Sequence, residues 1–193
     1  MKRLILATRN AHKVEELQEL LPEFEVVALD VVPDAPEVEE TGVTFEENAA
    51  LKAVAISEMT TDWVLADDSG LEVDALGGEP GVYSARYAGT HGDDAGNNAK
   101  LVRELEDEEE RSARFRCVLA LAEKGEVLGT FAGAVEGRIQ KEATGEGGFG
   151  YDPLFVPEGH EQSFAELGAE VKNGMSHRRR AVDELLGWLK RRS

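Results

Sequence analysis

The chain has 193 residues, and its 39 Asp and Glu against 21 Lys and Arg give a formal net charge of −18. That balance repels a polyanion at long range and excludes a surface that coats nucleic acid, so a bound phosphate must be held by local groups. The length points to a single domain, residues 1–193, with room for two lobes. Arg outnumbers Lys and the acidic excess is spread along the chain, a halophilic pattern like that of proteins from a salt-rich cytoplasm. Cys117 is the single cysteine, which excludes an intramolecular disulfide and fits a reducing compartment. It alternates with Phe115, Leu119 and Leu121, so it reads as a buried structural thiol rather than a nucleophile. The first apolar run, Leu4 to Ala7, meets Arg9 and Asn10 too soon for a signal segment or a membrane span, and the expectation is a soluble cytoplasmic protein.

Leu4 to Thr8 reads as a buried strand, after which Asn10 caps a helix with Val14, Leu17, Leu20 and Leu21 on one stripe and Pro22 as its stop. A second strand is expected over Phe24 to Leu29, followed by an acidic, Pro-containing loop from Asp30 to Gly42. Thr44 and Glu47 have capping-box spacing ahead of a helix with Phe45, Ala49, Ala53 and Ile56 inward. The strand Trp63 to Ala66 then ends in two adjacent carboxylates, Asp67 and Asp68. These head a run to Gly89 that is rich in Gly, Tyr and Arg and too broken for a core element. Strand ends that empty into such loops are where open α/β sheets place their chemistry. Asp93 or Asp94 can cap a helix through Leu101 and Leu105 that dissolves into the solvated run Glu106 to Glu110. Alternation over Phe115 to Leu121 and Val127 to Val135, around Lys124-Gly125, predicts a long antiparallel hairpin within a mixed sheet. A last helix from about Ser176 to Lys190 carries Val182, Leu185, Leu186 and Leu189 as its apolar stripe.

Four segments carry candidate chemistry. In the first, strand, Thr8-Arg9-Asn10-Ala11-His12-Lys13 and helix form a layout where backbone N–H groups, two side-chain donors and Lys13 can meet an anion. It fits equally an ordinary capped helix with a solvated lysine. No P-loop sequence is present. In the second, Asp67 and Asp68 point to opposite faces if the strand persists, and Glu39 and Glu40 offer further hard oxygen ligands. A few carboxylates with substrate phosphates and waters is how Mg²⁺ is usually held, although paired acidic turn residues are also common in an acidic protein. In the third, Gly145 to Gly150 spells G-x-G-x-x-G but follows no βα start and leads into Tyr151-Asp152-Pro153, which cannot open a phosphate-binding helix. It reads either as a Gly-rich loop bringing Phe149 and Asp152 to a flat ligand or as a plain turn. In the fourth, Lys172, Ser176, His177 and Arg178 to Arg180 form the one dense basic cluster, as donors for carbonyl oxygens or as surface ion pairs. His91 near Asp93 and Asp94 reads as part of a hydrated loop.

Taken together and in this order, ATRNAHKVEEL, EETGVTFEENAALKA, the ADDSG to SARYAG run, GFGYDPLF, and AEL followed by KNGMSHRRRA resemble the inosine/xanthosine triphosphate pyrophosphatase family, the XTP/dITP diphosphatases. The resemblance covers nearly the whole chain. It implies a mixed α/β fold, with a partly antiparallel twisted sheet flanked by helices and two lobes around a long central cleft, usually as a homodimer. It also implies hydrolysis of ITP, dITP and XTP to the monophosphate and pyrophosphate. Carried over by motif, Thr8, Asn10, Lys13 and Lys52 hold the triphosphate, and Glu39 and Asp68 ligate Mg²⁺ with Asp67 in support. Asp68 takes the proton of the attacking water, and Ser69 touches substrate. Phe149, Gly150, Tyr151, Asp152, Lys172, His177 and Arg178 line the base pocket. Arg9 departs from the small residue of the family pattern and is left out of the site. The competing readings are a pyrophosphatase for other nucleotides, such as pyrimidine triphosphates, and a nucleotide sensor without turnover.

Overall fold

A computed structural model describes residues 2–192, in which the apolar runs and their turn residues become β1 (Lys2–Leu6), α1 (Ala11–Leu20), β2 (Phe24–Val27), α2 (Phe45–Ser57), β3 (Trp63–Val73), α3 (Asp94–Glu104), β4 (Ser112–Glu123), β5 (Glu126–Ile139), β6 (Phe155–Pro157), α4 (Phe164–Met175) and α5 (His177–Lys190). The strands form one mixed sheet in the order β2-β1-β3-β4-β5-β6. β1 runs parallel to β2 and β3, and β6 is antiparallel to β5.

The chain forms two compact units, each with its own core. The first contains the residues up to Asp68, Cys117–Gly133 and the chain from Arg178 onward. Its core joins Leu4 and Leu6 of β1, Leu17 and Leu20 of α1, Leu65, Leu119, Leu121, and Val182 and Leu185 of α5. The helical stripes predicted for α1 and α5 are therefore the faces that bury, at roughly 1.5–3 kcal/mol for each large aliphatic side chain removed from water. The second unit contains Ser69–Arg116 and Ala134–His177. Leu71, Val73, Leu101, Leu105, Phe115, Phe155 and Phe164 fill it, with Phe115 and Phe155 in aromatic contact at 4.6 Å.

Local signals account for most boundaries. Asn10 caps α1 by accepting from Lys13 N, Thr44 caps α2 by accepting from Glu47 N, and Asp93 rather than Asp94 caps α3 by accepting from Gly96 N. The Thr44 box is offset by one residue, because the Glu47 carboxylate reaches back to Val43 N at 2.7 Å. Lys124 and Gly125 turn the β4–β5 hairpin with φ of 52° and 82°, the left-handed pair that a two-residue hairpin requires. The strict alternation expected along β4 holds up to Arg116 and stops at Cys117, beyond which both faces are buried through Ala122.

Three expectations are corrected. β2 ends at Val27, and Leu29 enters a short 3₁₀ turn. β3 does not stop at Ala66 but runs on to Val73, so Asp67 and Asp68 lie inside the strand instead of at its end. Lys172 belongs to α4 and not to the start of the last helix, and Ser176 closes α4.

Candidate active site

In the first unit, β1 delivers the chain to the start of α1. Thr8 Oγ1 accepts from Asn10 N at 3.1 Å, and Asn10 Oδ1 accepts from Lys13 N at 3.3 Å, so both side chains shape the entry to the helix. Lys13, one turn in, reaches back to β3 and donates to Asp67 Oδ1 at 2.5 Å. Arg9 points away from this group: it is exposed and donates to the Ala35 carbonyl at 2.8 Å.

Asp67 is buried, and donors surround it. Arg178 Nε donates to Oδ2 at 2.8 Å, Arg178 also donates to Oδ1 at 3.5 Å, and the Cys117 thiol donates to Oδ2 at 3.2 Å. Arg178 is itself only 1% exposed, and its other arm pairs with Glu16 of α1. Burial opposes the Asp67 charge, but Arg178 and Lys13 overcome it and hold the carboxyl well below the usual range. Cys117 moves the other way: burial and then the Asp67 charge push its thiol well above the ordinary value. A thiol so placed stays protonated, as expected for a structural cysteine.

The next residue on the strand faces a different partner, as the alternation of side chains along β3 requires. Lys52 of α2 spends its ammonium on Asp68 Oδ1 at 2.8 Å, the Asp67 carbonyl at 2.9 Å and Glu40 Oε1 at 2.7 Å. Burial lowers the Lys52 pKa, and the Asp68 and Glu40 carboxylates more than offset it, leaving the ammonium more firmly protonated than usual. For Asp68 burial wins, and its carboxyl is raised despite Lys52 and Lys13. Asp68 Oδ2 is buried and has no hydrogen-bond partner among the described residues. A desolvated carboxylate oxygen without a donor fits a hard divalent cation or a water molecule as its missing partner. No group of three or more His, Cys, Asp or Glu side chains gathers among the described residues into a cation cage. Glu39 is exposed on the loop, while its neighbour Glu40 shares Lys52 with Asp68. Ser69 follows on β3, half-buried.

The second unit holds the other predicted residues. Gly148 lets the chain close around Asp152: a Cβ there would lie 2.1 Å from Asp152 Oδ2, and its φ of +71° also favours glycine. That oxygen accepts from Phe149 N at 3.0 Å and from Lys172 Nζ at 2.7 Å. Lys172 also stands 4.5 Å from the centre of the Phe149 ring, a cation–π contact. Tyr151 donates its hydroxyl to the Ser84 carbonyl at 2.7 Å, and burial raises its pKa. His177 is buried and stacks on Phe115, with ring centres 4.9 Å apart.

The structure thus gathers Lys13, Asp67 and Arg178 in one group and Lys52 and Asp68 in an adjoining one. It gathers Phe149, Asp152 and Lys172 in a third. Glu16 is a participant that sequence reasoning missed. Its signal is its place three residues after Lys13, on the same face of α1.

Comparison with known proteins follows the same lines. The family model described as the Ham1 family matches residues 4–188. A "dITP/XTP pyrophosphatase" of Desulforamulus reducens is 52% identical over 193 residues, 98% of this chain and 96% of that protein. One with the same name from Oceanobacillus iheyensis is 48% identical over 194 residues, 98% of each. Among solved structures, the Ham1 protein of Staphylococcus aureus superposes with a TM-score of 0.88 at 41% identity over 100% of both chains. A HAM1 protein from Coxiella burnetii superposes with a TM-score of 0.89 at 41% identity, covering 99% of this chain and 100% of that one. The six-stranded mixed sheet with its helices is the fold of these proteins, and the chain belongs to the Ham1 family.

Proposed function

We propose that this protein hydrolyses deaminated purine nucleoside triphosphates, ITP, dITP and XTP, to the monophosphate and pyrophosphate with Mg²⁺, and so cleanses the nucleotide pool. The observation that carries the chemistry is the buried, unpartnered Oδ2 of Asp68 beside the Lys52 ammonium. Full-length relatives named for this activity support the substrate.

In this reading Asp68 and Glu39, with Asp67 in support, hold Mg²⁺, which when bound neutralises phosphate charge and favours pyrophosphate as leaving group. Thr8 and Asn10 at the head of α1 bind the triphosphate together with Lys13 and Lys52, whose charges suit a phosphate chain, and Ser69 touches it. Asp68 accepts the proton of the water that attacks the α-phosphorus. Burial raises its carboxyl in the metal-free protein, and no covalent intermediate is required. Asp67 acts through Lys13, whose ammonium it fixes.

The base falls to Phe149, Gly150, Tyr151, Asp152, Lys172 and His177. Phe149 offers a stacking face, and the donors of Lys172 and His177 suit a 6-oxo group. Adenine's 6-amino group would leave such donors unpaired, a mismatch worth as much as about 10⁴-fold. Arg178 belongs to this set by resemblance. Its guanidinium is held by Asp67 and Glu16, so it contacts a base only by exchanging one of them. His177→Ala is expected to reduce the ITP-over-ATP ratio of kcat/KM by about tenfold, the worth of one hydrogen bond of this kind. An unchanged ratio in paired kinetics would move base reading elsewhere.

The reading is tested with pyrophosphate release from ITP, XTP, GTP, ATP and dUTP, with Mg²⁺ and with chelator. Release confined to Mg²⁺ and dominated by ITP and XTP supports it. Dominance by dUTP would assign the protein to pyrimidine nucleotides, and tight ITP binding without release would make it a sensor. No helix among the described residues is long and apolar enough to cross a membrane. A cytoplasmic homodimer completes the reading, and a solution mass of one protomer would contradict the dimer.

A further inference from the structure

Gly150 is gripped through both of its backbone polar groups by the first two turns of α3. Its N–H donates to Asp94 Oδ2 at 2.8 Å, and its carbonyl accepts from Asn98 Nδ2 at 2.8 Å. The same Nδ2 donates to the Asp94 carbonyl at 2.8 Å, so the orientation of the Asn98 amide is determined: an oxygen placed there would face two acceptors. Asn97, the preceding residue, holds a second loop in the same manner. Its Oδ1 accepts from Ala88 N at 2.7 Å, and its Nδ2 donates to the Ala85 carbonyl at 3.3 Å. Two consecutive asparagines of one helix therefore anchor two loops of the unit.

Neither Asp94 nor Asn98 is needed to start the helix, because Asp93 supplies the cap. Asp94 is exposed and, as the first residue of α3, gives the helix only the favourable charge of an acidic first-turn side chain, with the cap coming from Asp93. Its bond to Gly150 is thus left without a role in helix formation. What lies on either side of Gly150 is Phe149 and Tyr151, and the Asp152 carboxylate binds Phe149 N and Lys172.

We infer that Asp94 and Asn98 are positioning residues for base recognition, which fix the Gly150 backbone and so set where the Phe149 ring and the Asp152–Lys172 pair stand. This inference rests on the assignment of those groups to the purine base. Neither side chain is among the groups assigned to the phosphates or the metal, so its loss loosens the base pocket rather than the hydrolytic chemistry. Binding of the preferred base suffers more than turnover at saturation.

The test is steady-state kinetics of Asp94→Ala, Asn98→Ala and Asp94→Asn with ITP and ATP in Mg²⁺, alongside thermal unfolding. Asp94→Ala and Asn98→Ala are expected to raise the KM for ITP about tenfold with a smaller change in kcat, and to narrow the ITP-over-ATP ratio. Asp94→Asn keeps an oxygen that can accept from Gly150 N and is expected to retain the wild-type ratio. Wild-type selectivity with unchanged KM and ratio in both alanine variants would overturn the inference, as would equal losses on ITP and ATP that track a fallen melting temperature. A wild-type enzyme that turns over ITP and ATP equally would instead remove the base-reading assignment, and this inference with it.

Discussion

Asp68→Asn is expected to lower ITP turnover by about 10²–10⁴-fold, the usual worth of a positioned base, while the protein keeps its fold. The amide retains an oxygen that can accept from Lys52, and Lys52 keeps Glu40 and the Asp67 carbonyl as partners. Folding gains rather than loses from the change at this site, because burial already disfavours the charged carboxyl that the substitution removes. The check is pyrophosphate release at saturating ITP, with circular dichroism and a melting curve on the same sample. Turnover near wild type would remove Asp68 from the chemistry. Lost turnover together with lost structure would show that the residue holds the fold instead.

Arg178→Met is expected to destabilise the protein by about 3 kcal/mol, because the buried Asp67 carboxylate loses its buried guanidinium partner and keeps Lys13 and the Cys117 thiol. The guanidinium and Asp67 are both buried, and their bond joins residues 111 positions apart, so no local rearrangement replaces it. Adding Asp67→Asn removes the stranded charge. The double variant is therefore expected to recover at least about 1 kcal/mol relative to the sum of the single changes. Urea unfolding of the four proteins measures this, provided the slopes agree. An Arg178→Met midpoint equal to wild type would mean that the Arg178–Asp67–Glu16 group contributes nothing to stability.

Sequence patterns revealed the parts of the fold where one physical signal dominates. The α1, α2 and α5 stripes and the Lys124-Gly125 turn all stand where periodicity and turn chemistry placed them. α4 was not legible because Gly168 breaks its helical geometry at φ 81°, ψ 167°, and a glycine within a short amphipathic run reads as an end. The Ser163–Glu166 capping box was the signal available, and it is complete in the structure. The full length of β3 is not legible, because Asp67 and Asp68 look like a turn. Within the strand their charges are tolerated only because Arg178, Lys13 and Lys52 come from distant segments, and pairings of that kind leave no local trace. The same reason hid Glu16, Asp94 and Asn98, whose partners lie far away in sequence.

Hydrolysis of ITP in ¹⁸O-water with Mg²⁺, followed by ³¹P NMR, tests the central claim most directly. The account predicts equimolar IMP and pyrophosphate with the label in IMP, as attack at the α-phosphorus requires. Label in pyrophosphate, or IDP and orthophosphate as products, would contradict it.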